Sequence, residues 1–166
     1  GHGVAAAIGA KLAAPNRPVI AIVGDGGFAM NGMEVHTAVE NDIPVIWIVF
    51  NNGGHGMVWH GEKALFGGRF HSSRFNQPID LCRLAQAFGA DGWRVTSPGE
   101  LQAVLTRALN RNRPTIIAAV IDPEEAPPIG SRYKALDAFY DQKEKVGVPK
   151  KIIDFPLSER IINLHI

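Results

Sequence analysis

The sequence predicts an α/β domain of three layers, α/β/α, built on a mostly parallel sheet. Three observations predict it. Short β-branched apolar runs recur at residues 18–23, 44–50 and 114–121, the pattern of strands buried on both faces. Helix-like segments alternate with them, and the first strand, helix and strand fit into about thirty residues, as a βαβ unit does. The first two runs stop abruptly, one at Gly24-Asp25-Gly26-Gly27 and the other at Asn51-Asn52-Gly53-Gly54. Parallel strands carry both ends to one edge of a sheet, where ligands of open α/β sheets bind.

Each element has its own signal. Residues 3–14 are dominated by small side chains: Gly3, Ala5, Ala6, Ala7, Gly9, Ala10, Ala13 and Ala14. Such a helix is expected to pack closely on a sheet or a partner subunit. Pro15-Asn16-Arg17-Pro18 is a turn. After the glycine turn, Asn31 is placed to cap a helix that runs to Glu40, with Glu34 completing a box-like pair. Residues 51–77 show little periodicity and hold Gly53, Gly54, Gly56, Gly61, Gly67 and Gly68 with His55, His60 and His71 between them. They read as a long functional loop.

Asp80 then caps a helix over residues 81–88, closed by Gly89. Residues 93–95 form a short strand. Ser97-Pro98-Gly99-Glu100 joins a cap residue, a first-turn proline and an acid at the third position. It starts a helix to about Asn110 with Leu101, Val104, Leu105, Ala108 and Leu109 on its apolar face. Asp122-Pro123 ends the last strand. Residues 1–130 are expected to form the domain, and residues 131–166 a C-terminal tail or extension.

Composition narrows the partners. A chain of 166 residues with 46% hydrophobic and 20% charged residues suits one globular domain with a core. A net charge of +1 gives no electrostatic case for nucleic acid or an anionic membrane. No apolar stretch approaches the roughly 18 residues of a spanning helix. Cys82 is the single cysteine, so an internal disulfide and a cysteine-rich metal site are excluded, and a reducing, cytoplasmic setting fits. The opening Gly1-His2-Gly3 is neither a signal peptide nor an ordinary start. The chain is expected to be part of a longer polypeptide.

The glycine turn admits three readings. Gly24-Asp25-Gly26-Gly27-Phe28-Ala29 formally matches a dinucleotide fingerprint, G-x-G-x-x-A. An aspartate inside the turn would repel a pyrophosphate, and the next strand ends in Asn51-Asn52 rather than an acid. A nucleotide P-loop needs a lysine and a hydroxyl residue after the glycines, and neither is present. A metal-bridged diphosphate suits the residues. Asp25 offers a carboxylate oxygen, Asn52 a carboxamide oxygen and the loop near Gly54 a carbonyl. Mg²⁺ takes octahedral oxygen ligands and shares its shell with phosphates and water. Backbone N–H groups of Gly26, Gly27 and residues 53–57 could cradle the phosphates. A zinc site from His55, His60 and His71 lacks helical spacing.

Gly24-Asp25-Gly26, followed after 24 residues by Asn51-Asn52, resembles the binding motif of thiamine-diphosphate-dependent enzymes. The surroundings resemble the acetolactate synthase branch. Gly1-His2-Gly3 with Ala6-Ala7-Ile8-Gly9-Ala10, Phe28-Ala29-Met30-Asn31 with Glu34, and Gly56-Met57-Val58 all fall in that family's order. The resemblance covers residues 1–121. It implies the thiamine-diphosphate-binding fold and the C-terminal, diphosphate-binding domain of a 2-oxo acid carboligase or decarboxylase.

By that resemblance Asp25, Asn52 and the carbonyl of Gly54 are the metal ligands. Gly26 and Gly27 contact the diphosphate, while His55, Gly56 and Met57 wall the cofactor site. The cofactors implied are thiamine diphosphate and Mg²⁺. The implied partners are a pyrimidine-binding domain of the same or another chain, whose glutamate activates the cofactor, and a second copy in a homodimer or homotetramer. No catalytic residue is expected in this segment, which alone should be inactive; the alternative readings are a simple 2-oxo acid decarboxylase and a non-catalytic cofactor-binding fragment lacking the pyrimidine-binding domain.

Two departures stand out. The family usually has serine where this chain has Gly27. It usually has tryptophan four residues beyond the methionine matching Met57, where this chain has Gly61 and places Trp59 two residues earlier. The stretch with Trp59, His60, Phe66, Arg69, Phe70 and His71 differs from the family's usual one, so the acceptor is expected to differ from pyruvate or 2-oxobutyrate. His36 reads as a packing or surface residue, and Cys82 and Trp93 as core.

Overall fold

The computed structural model describes residues 1–126. The expected tail, 131–166, lies outside the described residues. Four strands form one sheet: β1 (Ile20–Gly24), β2 (Ile46–Asn51), β3 (Asp91–Val95) and β4 (Thr115–Val120). Their order is β1-β2-β4-β3 and every pairing is parallel. Six helices connect them among the described residues: α1 (His2–Ala13), α2 (Asp25–Asn31), α3 (Glu34–Glu40), α4 (Gly56–Leu65), α5 (Leu81–Phe88) and α6 (Pro98–Arg111).

The two central strands are buried on both sides, as their unbroken apolar runs require. On one face Trp47, Val49, Ile116 and Ala118 lie beneath Val4, Ala7 and Ile8 of α1, Val35 and Ala38 of α3, and Leu81 and Ala85 of α5. On the other, Ile46, Ile48, Ile117 and Ala119 lie beneath Leu101, Val104, Leu105 and Ala108 of α6. These are the three expected layers. Each large side chain so buried contributes about 1.5–3 kcal/mol before entropy is counted. Trp47 satisfies its indole N–H by donating to the carbonyl of Val4 at 3.2 Å. The small-residue helix does pack flush: a Cβ on Gly3 would stand 2.8 Å from Cγ1 of Val23.

Three expectations are corrected. The first strand is not buried on both faces. β1 is an edge strand, and Ile20 (41% exposed) and Ile22 (65%) face outward. Their β-branched run gives strand propensity but carries no information on strand order. The helix after the glycine turn starts at Asp25, not at Asn31. Asn31 is its last residue, and α3 begins behind Met33 with no side-chain cap. The box with Glu34 therefore does not form. The long loop contains the ten-residue helix α4, hidden from a periodicity reading by Gly56 and Gly61.

The other caps form as read. Asp80 accepts from the N–H of Arg83, and Gly89 closes α5 in the left-handed conformation at φ 82°. Ser97 accepts from the N–H of Glu100, and Glu100 reaches back to the N–H of Thr96 at 2.7 Å. Leu109 is exposed (41%), so the buried face of α6 is narrower than its apolar pattern.

Candidate cofactor and metal site

The site lies at the carboxyl edge of β1 and β2. Gly24 pairs with Phe50 in the parallel ladder. The residues just beyond, Asp25 on one strand and Asn51-Asn52 on the other, therefore emerge side by side. Asp25 is only 2% exposed. A buried carboxylate must be bonded, and this one is. Oδ1 accepts from the N–H of Gly26 at 2.9 Å, and Oδ2 accepts from the N–H groups of Gly53 (2.8 Å) and Gly54 (3.0 Å). Asp25 thus folds the 53–54 turn back over the end of β1.

That turn is built for close approach. Gly53 holds φ 79°, a left-handed conformation that favours glycine. A side chain on Gly54 would strike the carbonyl of Ser73, and one on Gly56 would strike the Asn52 amide. Gly54 forms an antiparallel bridge with Arg74, while His55 N–H donates to Ser73 (2.7 Å) and Phe75 N–H to Gly53 (2.8 Å). The turn is thereby pinned to residues 73–75. A Cβ on Gly26 would meet Nδ1 of His55 at 2.5 Å, whereas a Cβ on Gly27 would have only the nitrogen of Gly1 nearby, at 3.8 Å.

The Asp25 carboxylate, the Asn52 carboxamide and the Gly54 carbonyl converge in this corner. With its amide placed one way, Asn52 Oδ1 lies 3.1 Å from Asp25 Oδ1 and 3.2 Å from the carbonyl oxygen of Gly54. None of the three can donate to another. Turned the other way, Nδ2 would donate to both. Oxygens sharing an octahedral Mg²⁺ at roughly 2.1 Å stand about 3.0 Å apart at adjacent corners. With Oδ1 inward the spacing suits a hard cation shared by three oxygens; with Nδ2 inward the same spacing is that of two hydrogen bonds, which satisfy the amide without a cation. No group of three or more His, Cys, Asp or Glu side chains is poised for a metal among the described residues. The three loop histidines do not converge.

His55 precedes α4 and stacks edge-on with Phe75 at 5.4 Å. Met57 and Val58 are each 52% exposed on the first turn of α4. Trp59 is buried, with Phe70 stacked on it at 5.4 Å and the cations of Lys63 (5.2 Å) and Arg74 (5.0 Å) over its ring. His60, read as a solvated loop residue if not at the site, is instead buried, and its Nε2 has no partner. Arg69 and His71 are exposed. His36 is a surface residue beside Glu40. Cys82 and Trp93 are half-buried. Burial and the nearby Asp80 raise the thiol pKa of Cys82, with Arg94 opposing, which disfavours the thiolate.

Sequence reasoning missed the contribution of residues 73–75, whose backbone holds the glycine turn. No motif marks them, because the contacts use N–H and C=O groups that every residue carries.

The chain is similar to known proteins in sequence and fold. The sequence profile described as "Thiamine pyrophosphate enzyme, C-terminal TPP binding domain" matches residues 1–119. The chain belongs to the thiamine pyrophosphate enzyme family. It is 41% identical over 129 residues to the probable acetolactate synthase large subunit of Methanocaldococcus jannaschii, covering 78% of this chain and 22% of that protein. It is 36% identical to the acetolactate synthase isozyme 3 large subunit of Escherichia coli K12, covering 75% and 22%.

Among solved structures it resembles the Rhodococcus jostii thiamine diphosphate-dependent 4-hydroxybenzoylformate decarboxylase. The TM-score is 0.69 at 31% identity, covering 75% of this chain and 23% of that one. The chain thus corresponds to the C-terminal thiamine-pyrophosphate-binding domain of the acetolactate synthase branch and spans about a fifth of these relatives. No described helix is long and apolar enough to cross a membrane.

Proposed function

We propose that this chain supplies the diphosphate- and Mg²⁺-binding half of a thiamine-diphosphate-dependent enzyme acting on 2-oxo acids by decarboxylation followed by carboligation. One observation supports the metal reading: the inward end of the Asn52 carboxamide lies 3.1 Å from Asp25 Oδ1 and 3.2 Å from the Gly54 carbonyl oxygen, so with Oδ1 inward three oxygens would face one cation, whereas with Nδ2 inward the amide bridges the other two. Asp25 and Asn52 would hold the cation through side chains and Gly54 through its carbonyl. Gly26 and Gly27 would bring backbone N–H groups to the diphosphate, and His55, Gly56 and Met57 would wall the cofactor.

Thiamine diphosphate, when bound, supplies a carbon nucleophile and an electron sink for a 2-oxo acid. The residues of this chain bind and orient. Asp25 fixes the 53–54 turn by accepting from the N–H groups of Gly53 and Gly54, so the groups that would meet a cation are held in place beforehand. Proton transfer would not fall to these residues. That role would fall to a pyrimidine-binding domain of the same or a partner chain, in a cytoplasmic homodimer or homotetramer.

Simple decarboxylation is the second reading, favoured by the likeness to a decarboxylase. The stretch from Trp59 to His71 would shape the substrate pocket. Product analysis of the full-length protein with a panel of 2-oxo acids tests the proposal. Coupled hydroxy-keto products support carboligation, aldehydes alone support decarboxylation, and turnover of no 2-oxo acid contradicts both. Exchanging residues 59–71 should change the preferred acid; an unchanged profile would give that stretch a structural role.

A further inference from the structure

A second site opens beside the first. A cavity of about 620 Å³ is lined by Ala29 of α2 and by Ser72, Arg74, Phe75, Asn76, Gln77 and Ile79. Its size is that of a small-molecule pocket. Its lining is divided in kind. Ala29, Phe75 and Ile79 give an apolar wall, while a guanidinium, two carboxamides and a hydroxyl supply donors.

Arg74 is the decisive group. Its guanidinium lies 5.0 Å from the centre of the Trp59 ring, which holds it by a cation–π contact. It has no carboxylate partner among the described residues, where ion pairs form only at His36, Lys63, Arg83 and Arg111. The side chains of Asn76 and Gln77 likewise make no hydrogen bond within the described residues. A guanidinium presents five donors in a planar fork that matches a carboxylate. Here the guanidinium lies over an aromatic ring, has no carboxylate partner among the described residues, and belongs to a residue that lines a cavity with an apolar wall.

The geometry points to a binding site for an organic acid: a carboxylate on Arg74, with Asn76 and Gln77 in support, and an apolar body against Phe75, Ile79 and Ala29. The backbone of Arg74 is bridged to Gly54, so an occupant sits one strand pairing from the corner of Asp25, Asn52 and Gly54. The inference does not rest on the cofactor reading. The 2-oxo acids proposed above fall within the ligand class, but the site needs neither metal nor diphosphate.

The test is titration calorimetry of the full-length protein, without cofactor, using phenylacetate, neutral phenylacetamide and inorganic phosphate as probes. Phenylacetate should bind saturably and at least tenfold more tightly than the other two. Arg74→Gln should weaken phenylacetate at least tenfold, and Asn76→Asp should also weaken it by setting a like charge beside the carboxylate. Both positions are exposed, and unchanged circular dichroism checks that the variants fold. No binding of phenylacetate, equal binding of phenylacetamide, phosphate binding as tightly, or full affinity in Arg74→Gln would each overturn the proposal. Cofactor and Mg²⁺ affinity, measured separately, should be unchanged in Asn76→Asp, so failure here leaves the cofactor reading standing.

Discussion

The imidazole of His55 occupies the space that a side chain on Gly26 would need, with Nδ1 only 2.5 Å from the position of the missing Cβ. The next residue is different, because a Cβ on Gly27 meets nothing closer than 3.8 Å. Two adjacent glycines in one helix thus answer to different constraints. Gly26→Ala should displace His55 and destabilise the domain by about 1–3 kcal/mol, as overpacking does. Gly27→Ala should stabilise it by roughly 0.5–1 kcal/mol, the helix-propensity difference. Urea midpoints of the two variants check this, and equal effects would contradict it.

Asn52 allows a sharper contrast. Asn52→Asp sets a second carboxylate about where Oδ1 now lies, 3.1 Å from Asp25 Oδ1. Without a cation the like charges should lower the thermal midpoint. With Mg²⁺ the added charge should strengthen binding, and the midpoint should recover. Melting curves with chelator and with Mg²⁺ should therefore diverge more for this variant than for the parent. A metal-independent loss would count against a cation in the corner.

Trp59 holds residues 66–75 against α4 through Phe70 and Arg74. Trp59→Ala should cost about 3–5 kcal/mol, as other buried aromatic truncations do. It should also release this stretch before the rest of the domain unfolds. Limited proteolysis should then cut near Gly67, Gly68 and Arg69. Resistance equal to the parent's would mean that other contacts hold the segment.

Glu100 gives a pH dependence of known sign. Its pKa is depressed below the ordinary 4.5, first by the hydrogen bond from the backbone N–H of Thr96 and then by the Thr96 hydroxyl. A depressed folded-state value means that the carboxylate stabilises the start of α6 above about pH 4.5 and that this is lost as pH falls through the lower folded value. Glu100→Gln should flatten the fall in thermal midpoint over that acid window. An unchanged slope would show that the cap contributes nothing.

The meeting of Asp25 and Asn52 at one sheet edge was legible because its signals are local. Asp25 and Asn52 each follow an apolar strand directly, and parallel pairing then fixes their proximity. The start of α2 was not legible. Gly26 and Gly27 are poor helix formers, and what anchors that turn is the pair of hydrogen bonds that Asp25 accepts from the N–H groups of Gly53 and Gly54, 28 and 29 residues away. The exposure of Ile22 was hidden for a related reason, since edge position is a property of the sheet. Helix α4 escaped because Gly56 and Gly61 interrupt its pattern and because Trp59 is covered by Phe70 and Arg74 rather than lying in a long amphipathic stripe.

The central claim is that Asp25 organises a cation site that grips a diphosphate. Titration calorimetry of thiamine diphosphate into the full-length protein, with Mg²⁺ and with chelator, tests it most directly on Asp25→Ala. The account predicts that Mg²⁺-dependent binding disappears in the variant. Unchanged affinity in Asp25→Ala would contradict it.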